Sequence, residues 1–402
     1  MSVPLDRLYH YLGDCVNHDL IIYRWAPHGS RKLEDLNHLT NYPEHKWHTT
    51  PTAIFHDQEP LDYDFYTQDQ IRNRAAFLFS RNSPASMQKD SVLNYISQQH
   101  LRALTGCIND YDLTILIHSE QQSKQVELFS KKNFVPVYYW SHAVIAQDWF
   151  RYAAYDPNLN YDLCSIKQDF LIYNRAWSGT REYRLMFTEN LVNDDLVKNC
   201  KTTFSPIDQN IYYTNHNFTN ENFIIQQQQL ENYFPLNTHP STSSADYVSD
   251  DYINTGIEIV LETLFDDCRW HLTEKSLRPI ACGKPFILAA TPGSLEYLRT
   301  YGFETFNGLI DESYDTIIDS KDRLTAIIVE MKRIAMLDIN TKQVLYAKLH
   351  KIAQRNKQRF FNGLFDQVIE EYKTNLDQAI TVMQQHCTGQ HLTAIRQLLQ
   401  QN

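Results

Sequence analysis

Residues 272–290, L-T-E-K-S-L-R-P-I-A-C-G-K-P-F-I-L-A-A, set a carboxylate and an ammonium side by side just ahead of a buried apolar run. Thr273 has the side chain of an N-cap. Glu274, Lys275 and Ser276 then fill a first helical turn, and the helix runs through Leu277 and Ile280 to Gly283, a C′ glycine. A helix start carries partial positive charge and backbone N–H groups without intrahelical partners, which suits a pyrophosphate. Lys275 adds a full charge, and the Glu274 carboxylate can accept two hydroxyl hydrogen bonds from a ribose. A Glu-Lys pair at this point therefore suits a nucleotide diphosphate. The plain alternative is that Glu274 only stabilises the helix dipole and Lys275 is solvated.

A second basic group follows a strand in "NRAWSGTREYR", which carries Arg175, Arg181 and Arg184. Guanidinium groups pair with phosphate in a bidentate fashion that lysine cannot match. The competing reading is a solvated basic helix face. Inverting transfer of a group from such a nucleotide to a hydroxyl would also need a base within hydrogen-bond reach of that hydroxyl. "IFHDQEP" offers His56, Asp57 and Glu59 at a strand end, while His118, Glu120 and His142 lie at the next candidate edges. Asp57 and Glu59 are the expected catalytic pair, because four polar residues follow "AIF" and Pro60 stops them. A retaining reaction would need no such base.

Other chemistry finds less support. "SDD" at 249–251 and "FDD" at 265–267 lack the Asp-x-Asp spacing of a metal-dependent transferase. There is no HExxH, no GxxxxGK[ST], no GxGxxG and no GxSxG. The expectation is therefore no metal ligand and no cofactor beyond a nucleotide co-substrate. "HKIAQRNKQRFF" at 350–361 reads as a solvated helix face.

These residues need elements to hold them. "LIIYRW", "TAIFHDQEP", "AAFLFS" (75–80), "LTILIHSE" and "FVPVYYW" predict strands ending in polar loops. A second series runs from "FLIYNR" (170–175) through a helix near 180–192 to strands "IEIVLET" and "PFILAA", with helices at 294–302 and 321–336. Strand–helix alternation predicts parallel α/β structure, whose ligands sit at the strands' carboxyl ends. Residues 200–256 read as an irregular polar excursion, and from about 340 the pattern is helical. The expected domains are 1–165 on the acceptor side, 166–340 on the donor side, and a helical extension at 341–402.

At 402 residues the chain exceeds one compact core. Its net charge of −11 argues against broad nonspecific nucleic-acid binding. The 7 cysteines form no CxxC pair, which argues against a disulfide framework or structural zinc and predicts a reducing cytoplasm. No apolar signal core and no run of about 18 apolar residues is present, so no membrane span is expected.

"VLET…WHLTEKSLRPIACGKPFILAA" resembles the donor-binding motif of the α-1,3-fucosyltransferases. Glu262 matches the glutamate that ends their strand, Thr273-Glu274-Lys275 their Thr-Glu-Lys, and Gly283-Lys284-Pro285 their turn. Thr263 stands where they have Asn, and Leu272 where they have Val or Ile. "YNRAWSGTREYR" and "YLRTYGFETF" also resemble segments of uncharacterised glycosyltransferase-like proteins of phages and bacteria. The resemblance implies two Rossmann-like domains of GT-B type, with Glu274 on the ribose and Lys275 on the diphosphate. It implies a phosphate contact for Arg184, and adds Arg175, Glu262 and Thr273 to the donor site. The expected activity is hexosyl or pentosyl transfer to a glycan, or to a hydroxylated base in phage DNA, in the cytoplasm of the cell or host. The alternatives are an inactive nucleotide- or sugar-binding protein and a helical scaffold; the oligomeric state stays open.

Overall fold

The computed structural model describes residues 20–24, 52–56, 113–123, 134–234 and 246–386. The protein is mixed α/β with parallel sheets. It divides into two compact units, residues 1–141 with 368–402, and residues 142–367.

The first unit contains a parallel sheet of β1 (Leu20–Arg24), β2 (Thr52–His56), β3 (Leu113–His118) and β4 (Phe134–Tyr138) in that spatial order. Leu20 pairs with Thr52, Thr52 with Leu113, and Thr114 with Phe134. Asp57, Glu59 and the strand expected at 75–80 lie outside the described residues. His118 closes β3 as a buried residue, and its Nδ1–H donates to the Glu120 carbonyl at 2.9 Å. Burial pulls its pKa down to about 4, against that hydrogen bond.

The second unit opens with α1 (Ser141–Trp149), which enters it at His142. Its sheet contains β5 (Gln168–Ile172), β6 (Cys200–Thr202), β9 (Thr255–Leu261) and β10 (Phe286–Ala289) in the order β10-β9-β5-β6. A two-residue antiparallel pair, β7 (Ile207–Asp208) and β8 (Ile211–Tyr212), stands apart. Every residue of β9 is buried, as a parallel strand covered on both faces must be. Each aliphatic side chain fully buried there contributes about 1.5–3 kcal/mol. The helices are α2 (Tyr183–Asn193), α3 (Ser249–Ile253), α4 (Glu274–Cys282), α5 (Ser294–Thr300), α6 (Ser320–Ala335) and α7 (Ile339–Phe361). Beyond them α8 (Leu364–His386) continues into the first unit.

Two segments differ from expectation. Residues 204–230 of the polar excursion at 200–256 pack around a core of Trp177, Leu185, Tyr213 and Leu230. The buried Glu182 carboxylate gathers it further, accepting from His216 Nε2 at 2.7 Å, Thr219 N at 2.8 Å and Asn220 N at 2.9 Å. Scattered aromatics thus anchor a stretch that has no periodicity.

The second difference is the division of the helical tail. Residues 341–367 belong to the same compact unit as residues 142–340 rather than to a separate extension. Asp169 at the start of β5 explains this. It accepts from Lys342 Nζ at 2.8 Å, Tyr346 Oη at 2.7 Å and Asn199 Nδ2 at 2.7 Å. Gly256 admits the helix, because a Cβ there would lie 2.6 Å from the Tyr346 ring.

Candidate functional site

Strand order locates the site. From β5 the chain passes through α2 to β6 on one side, then returns to β9 on the other side of β5 and moves outward through α4 to β10. The connections therefore diverge between β5 and β9, and ligands of open parallel sheets bind in the crevice at the carboxyl ends of such a strand pair. The loops there are the two that carry the candidate residues, 173–184 and 262–275.

The Thr-Glu-Lys segment forms as its residue types require. Thr273 is extended and its Oγ1 accepts from Lys275 N at 3.3 Å, so it caps α4. At the other end Gly283 adopts φ +71, and the Lys284 N–H returns to the Pro279 carbonyl at 2.8 Å. A Cβ on Gly283 would meet the Gln354 side-chain amide, which could shift away, so it is the left-handed backbone that favours glycine here.

Glu262 organises the loop. It is fully buried, and its carboxylate accepts from Thr263 N at 3.0 Å, Thr273 N at 2.9 Å, Thr273 Oγ1 at 2.9 Å, Ser276 N at 3.2 Å and Ser276 Oγ at 2.6 Å. Two consequences follow. The lone pairs of Glu262 are committed to protein donors, so it positions Thr273 and Ser276 instead of reaching for a ligand. The start of α4, expected to hold a pyrophosphate on free N–H groups, already faces an anion, the Glu262 carboxylate.

Arg184 is also placed differently from a phosphate contact. It is buried, donating from Nη1 to the Ala176 carbonyl at 2.7 Å and from Nη2 to the carbonyls of Leu261 at 2.6 Å and Glu262 at 3.1 Å. It ties the loop after β5 to the end of β9. Tyr183 reinforces the tie, with its hydroxyl 2.6 Å from the Glu262 carbonyl and its ring stacked on Phe265. Arg175 is exposed, and Arg181 is half-buried.

Glu274 and Lys275 remain at the edge. Lys275 Nζ donates to Glu274 Oε1 at 2.7 Å and to Thr273 Oγ1 at 3.1 Å, and its side chain is 16% exposed. An ammonium has three hydrogens, so one is left for a ligand. Glu274 is 4% exposed, and its second oxygen lies 3.7 Å from His142 Nδ1.

No family model, curated protein or solved structure matches this chain. The site stands on its own geometry. Among the described residues, no helix is long and apolar enough to cross a membrane, and no group of three His, Cys, Asp or Glu side chains could hold a metal ion.

Several buried polar atoms in these loops have no hydrogen-bond partner: Asn174 Oδ1, Ser178 Oγ, Arg184 Nε and both ring nitrogens of His271. Folded proteins satisfy nearly all such atoms, so each exception calls for an explanation. Asn174 and Ser178 lie inside the quoted "NRAWSG" segment but carry no signal in the sequence. His271 was missed altogether, although it stands two residues before the cap.

Proposed function

We propose that this chain is a glycosyltransferase of GT-B type, built on two Rossmann-like domains, that moves a sugar from a nucleotide-diphosphate donor to a hydroxyl acceptor. The observation that carries it is the coincidence of the Thr273-Glu274-Lys275 helix start with the crevice between β5 and β9. Either feature alone is common. Together they put an ammonium and a carboxylate where a parallel sheet receives a nucleotide.

In this role Lys275 meets the diphosphate and stabilises its charge as it leaves. Glu274 meets the ribose hydroxyls. Exposed Arg175 supplies a second cation toward the phosphates. Thr273, Glu262 and Arg184 hold the two loops in register. With a lysine charge at the leaving group, donor binding needs no metal. The acceptor is a glycan or a hydroxylated DNA base, handled in the cytoplasm by the other unit, where Asp57 and Glu59 are the sequence-based candidates for its base.

Calorimetric titration with UDP, GDP, CMP and dTDP, without metal and again with EDTA, tests the donor site. One nucleotide is expected to bind in the micromolar range, unaffected by EDTA, with affinity about tenfold or more weaker in Lys275→Ala. A folded protein that binds none of them sinks the proposal.

A further inference from the structure

The loop that leaves β5 carries polar atoms whose chemistry differs from that of Lys275. Asn174, Ser178 and Arg184 are 5%, 7% and 3% exposed. Among the described residues, Asn174 Oδ1, Ser178 Oγ and Arg184 Nε find no hydrogen-bond partner. Leaving such atoms unpaired inside a protein is costly, and one short loop with its adjoining helix start carries all three.

The orientation of the Asn174 amide follows from its neighbours. Thr188 Oγ1 donates its one hydrogen to the Arg184 carbonyl at 2.7 Å, so toward Asn174 it can only accept. Asn174 Nδ2 donates to it at 3.0 Å, which leaves Oδ1 as the unpaired end. Arg184 and Thr188 lie one helical turn apart on the same face of α2. The Asn174 amide and the Arg184 guanidinium therefore share that face, under the loop that Arg184 Nη1 holds by the Ala176 carbonyl. Asn174 Oδ1 is an acceptor, Arg184 Nε carries a donor hydrogen, and Ser178 Oγ can do either.

That mixture selects the chemistry of a ligand. A phosphate oxygen only accepts, so it cannot satisfy Asn174 Oδ1. A cation would meet the Arg184 charge. A neutral hydroxyl accepts from Nε and donates to Oδ1 at once. The place agrees with this. Arg184 Nη2 donates to the Glu262 carbonyl at 3.1 Å, while the Glu262 carboxylate holds Thr273 and Ser276 on either side of Lys275 in the chain. The polar pair thus borders the end of the crevice where Lys275 stands. That is the diphosphate end of a donor, to which the transferred sugar is bonded, whereas the base lies beyond the ribose.

We propose that Asn174 Oδ1 and Arg184 Nε determine donor specificity by reading one neutral hydroxyl on the ring of the transferred sugar. This rests on the donor-site reading above. The loop itself covers these atoms, and the hydroxyl reaches them as the loop shifts to admit the sugar. Pairing two orphaned atoms offsets the cost of that shift. A sugar without the hydroxyl leaves both atoms unpaired, which is the condition under which a polar site rejects an analogue most strongly.

Calorimetric titration of the full chain and of Asn174→Ala tests this. The ligands are UDP, GDP and dTDP, then UDP-glucose, UDP-galactose, GDP-mannose, GDP-fucose and dTDP-glucose, then deoxy analogues of whichever conjugate binds, each lacking one ring hydroxyl. Thermal melts confirm that the variant is folded, and Asn174→Ser replaces it if it is not. Loss of one particular hydroxyl is expected to weaken wild-type binding about tenfold or more, and binding to the variant by less than about twofold. The variant is expected to lose about tenfold for the complete conjugate and to spare the diphosphate. Deoxy penalties that are the same in wild type and folded variant overturn the contact and leave the donor site standing; the orphaned atoms then hold a buried water. Equal losses for diphosphate and conjugate also overturn it, because the loop would then serve the nucleotide. A wild type that binds a diphosphate but none of the conjugates overturns it as well. Absence of any nucleotide binding in the wild type overturns both readings.

Discussion

Strand β9 and the residue after it carry two fully buried carboxylates four positions apart, Glu258 and Glu262, and α4 supplies partners to both. Glu258 is closed off. Arg278 donates to its Oε1 from Nη2 at 2.6 Å and from Nε at 3.2 Å, and the Tyr252 hydroxyl holds Oε2. Lys284 lies nearby, with Nζ on the carbonyls of Tyr252 and Thr255, under the rings of Tyr161 and Tyr252. Burial lowers its pKa to about 7, against the attraction of Glu258. Glu262 is satisfied by neutral hydroxyls and amides, and the groups beside it are not all paired. Saturation with a countercharge marks the half of α4 that holds the fold. Incomplete pairing marks the half that meets the crevice.

The contrast can be broken most forcefully at Arg278. Arg278→Met leaves Glu258 buried without its countercharge and is expected to cost about 3–5 kcal/mol in chemical denaturation. The double variant with Glu258→Met should recover much of that. A loss below about 1 kcal/mol for the single variant would show that the pair does not hold the fold.

Glu262→Gln keeps the shape but turns an NH2 group toward donors. Its expected cost is about 2–3 kcal/mol, since hydrogen bonds to a charged acceptor are lost. Nucleotide affinity should fall with it, because Thr273 and Ser276 lose their register. A Glu262→Gln protein with wild-type stability and binding would show that the five contacts are idle.

The smallest effect has the opposite sign. His271→Leu removes a buried, unpartnered imidazole and is expected to leave stability unchanged or raised by up to about 1 kcal/mol. The pH dependence sharpens this. The folded His271 has a pKa well below the ordinary 6.5, so as pH falls below that value the unfolded chain takes up a proton that the folded chain refuses. Its contribution is therefore full above 6.5 and is lost as the medium becomes acidic. Melting temperatures of His271→Leu should decline less steeply than wild type over that range. A steeper decline would mean that His271 holds a proton in the folded state.

Legibility was uneven along the chain. Apolar patterning located β3, β4, β5, β9, β10 and the helices after 320 to within a few residues, and in β5, β9 and β10 burial on both faces of a parallel strand leaves a continuous apolar run. The cap at Thr273 and the turn at Gly283 were readable because each depends on one residue's own chemistry. The roles of Glu262 and Arg184 were not. A glutamate at a strand end and an arginine in a helix look alike whether they meet a ligand or a carbonyl. Only the approach of β9 to the loop after β5 gave Arg184 three carbonyls, and only the return of α4 over β9 gave Glu262 four of its five donors.

The sequence by itself determined where helices and strands begin and end around the Thr-Glu-Lys segment, since propensity, capping and turn chemistry act over a few residues. The tertiary structure alone decided which charged groups are spent inside the protein and which remain at the edge. Pairing brings together residues as far apart as His142 and Glu274, and desolvation depends on what covers them.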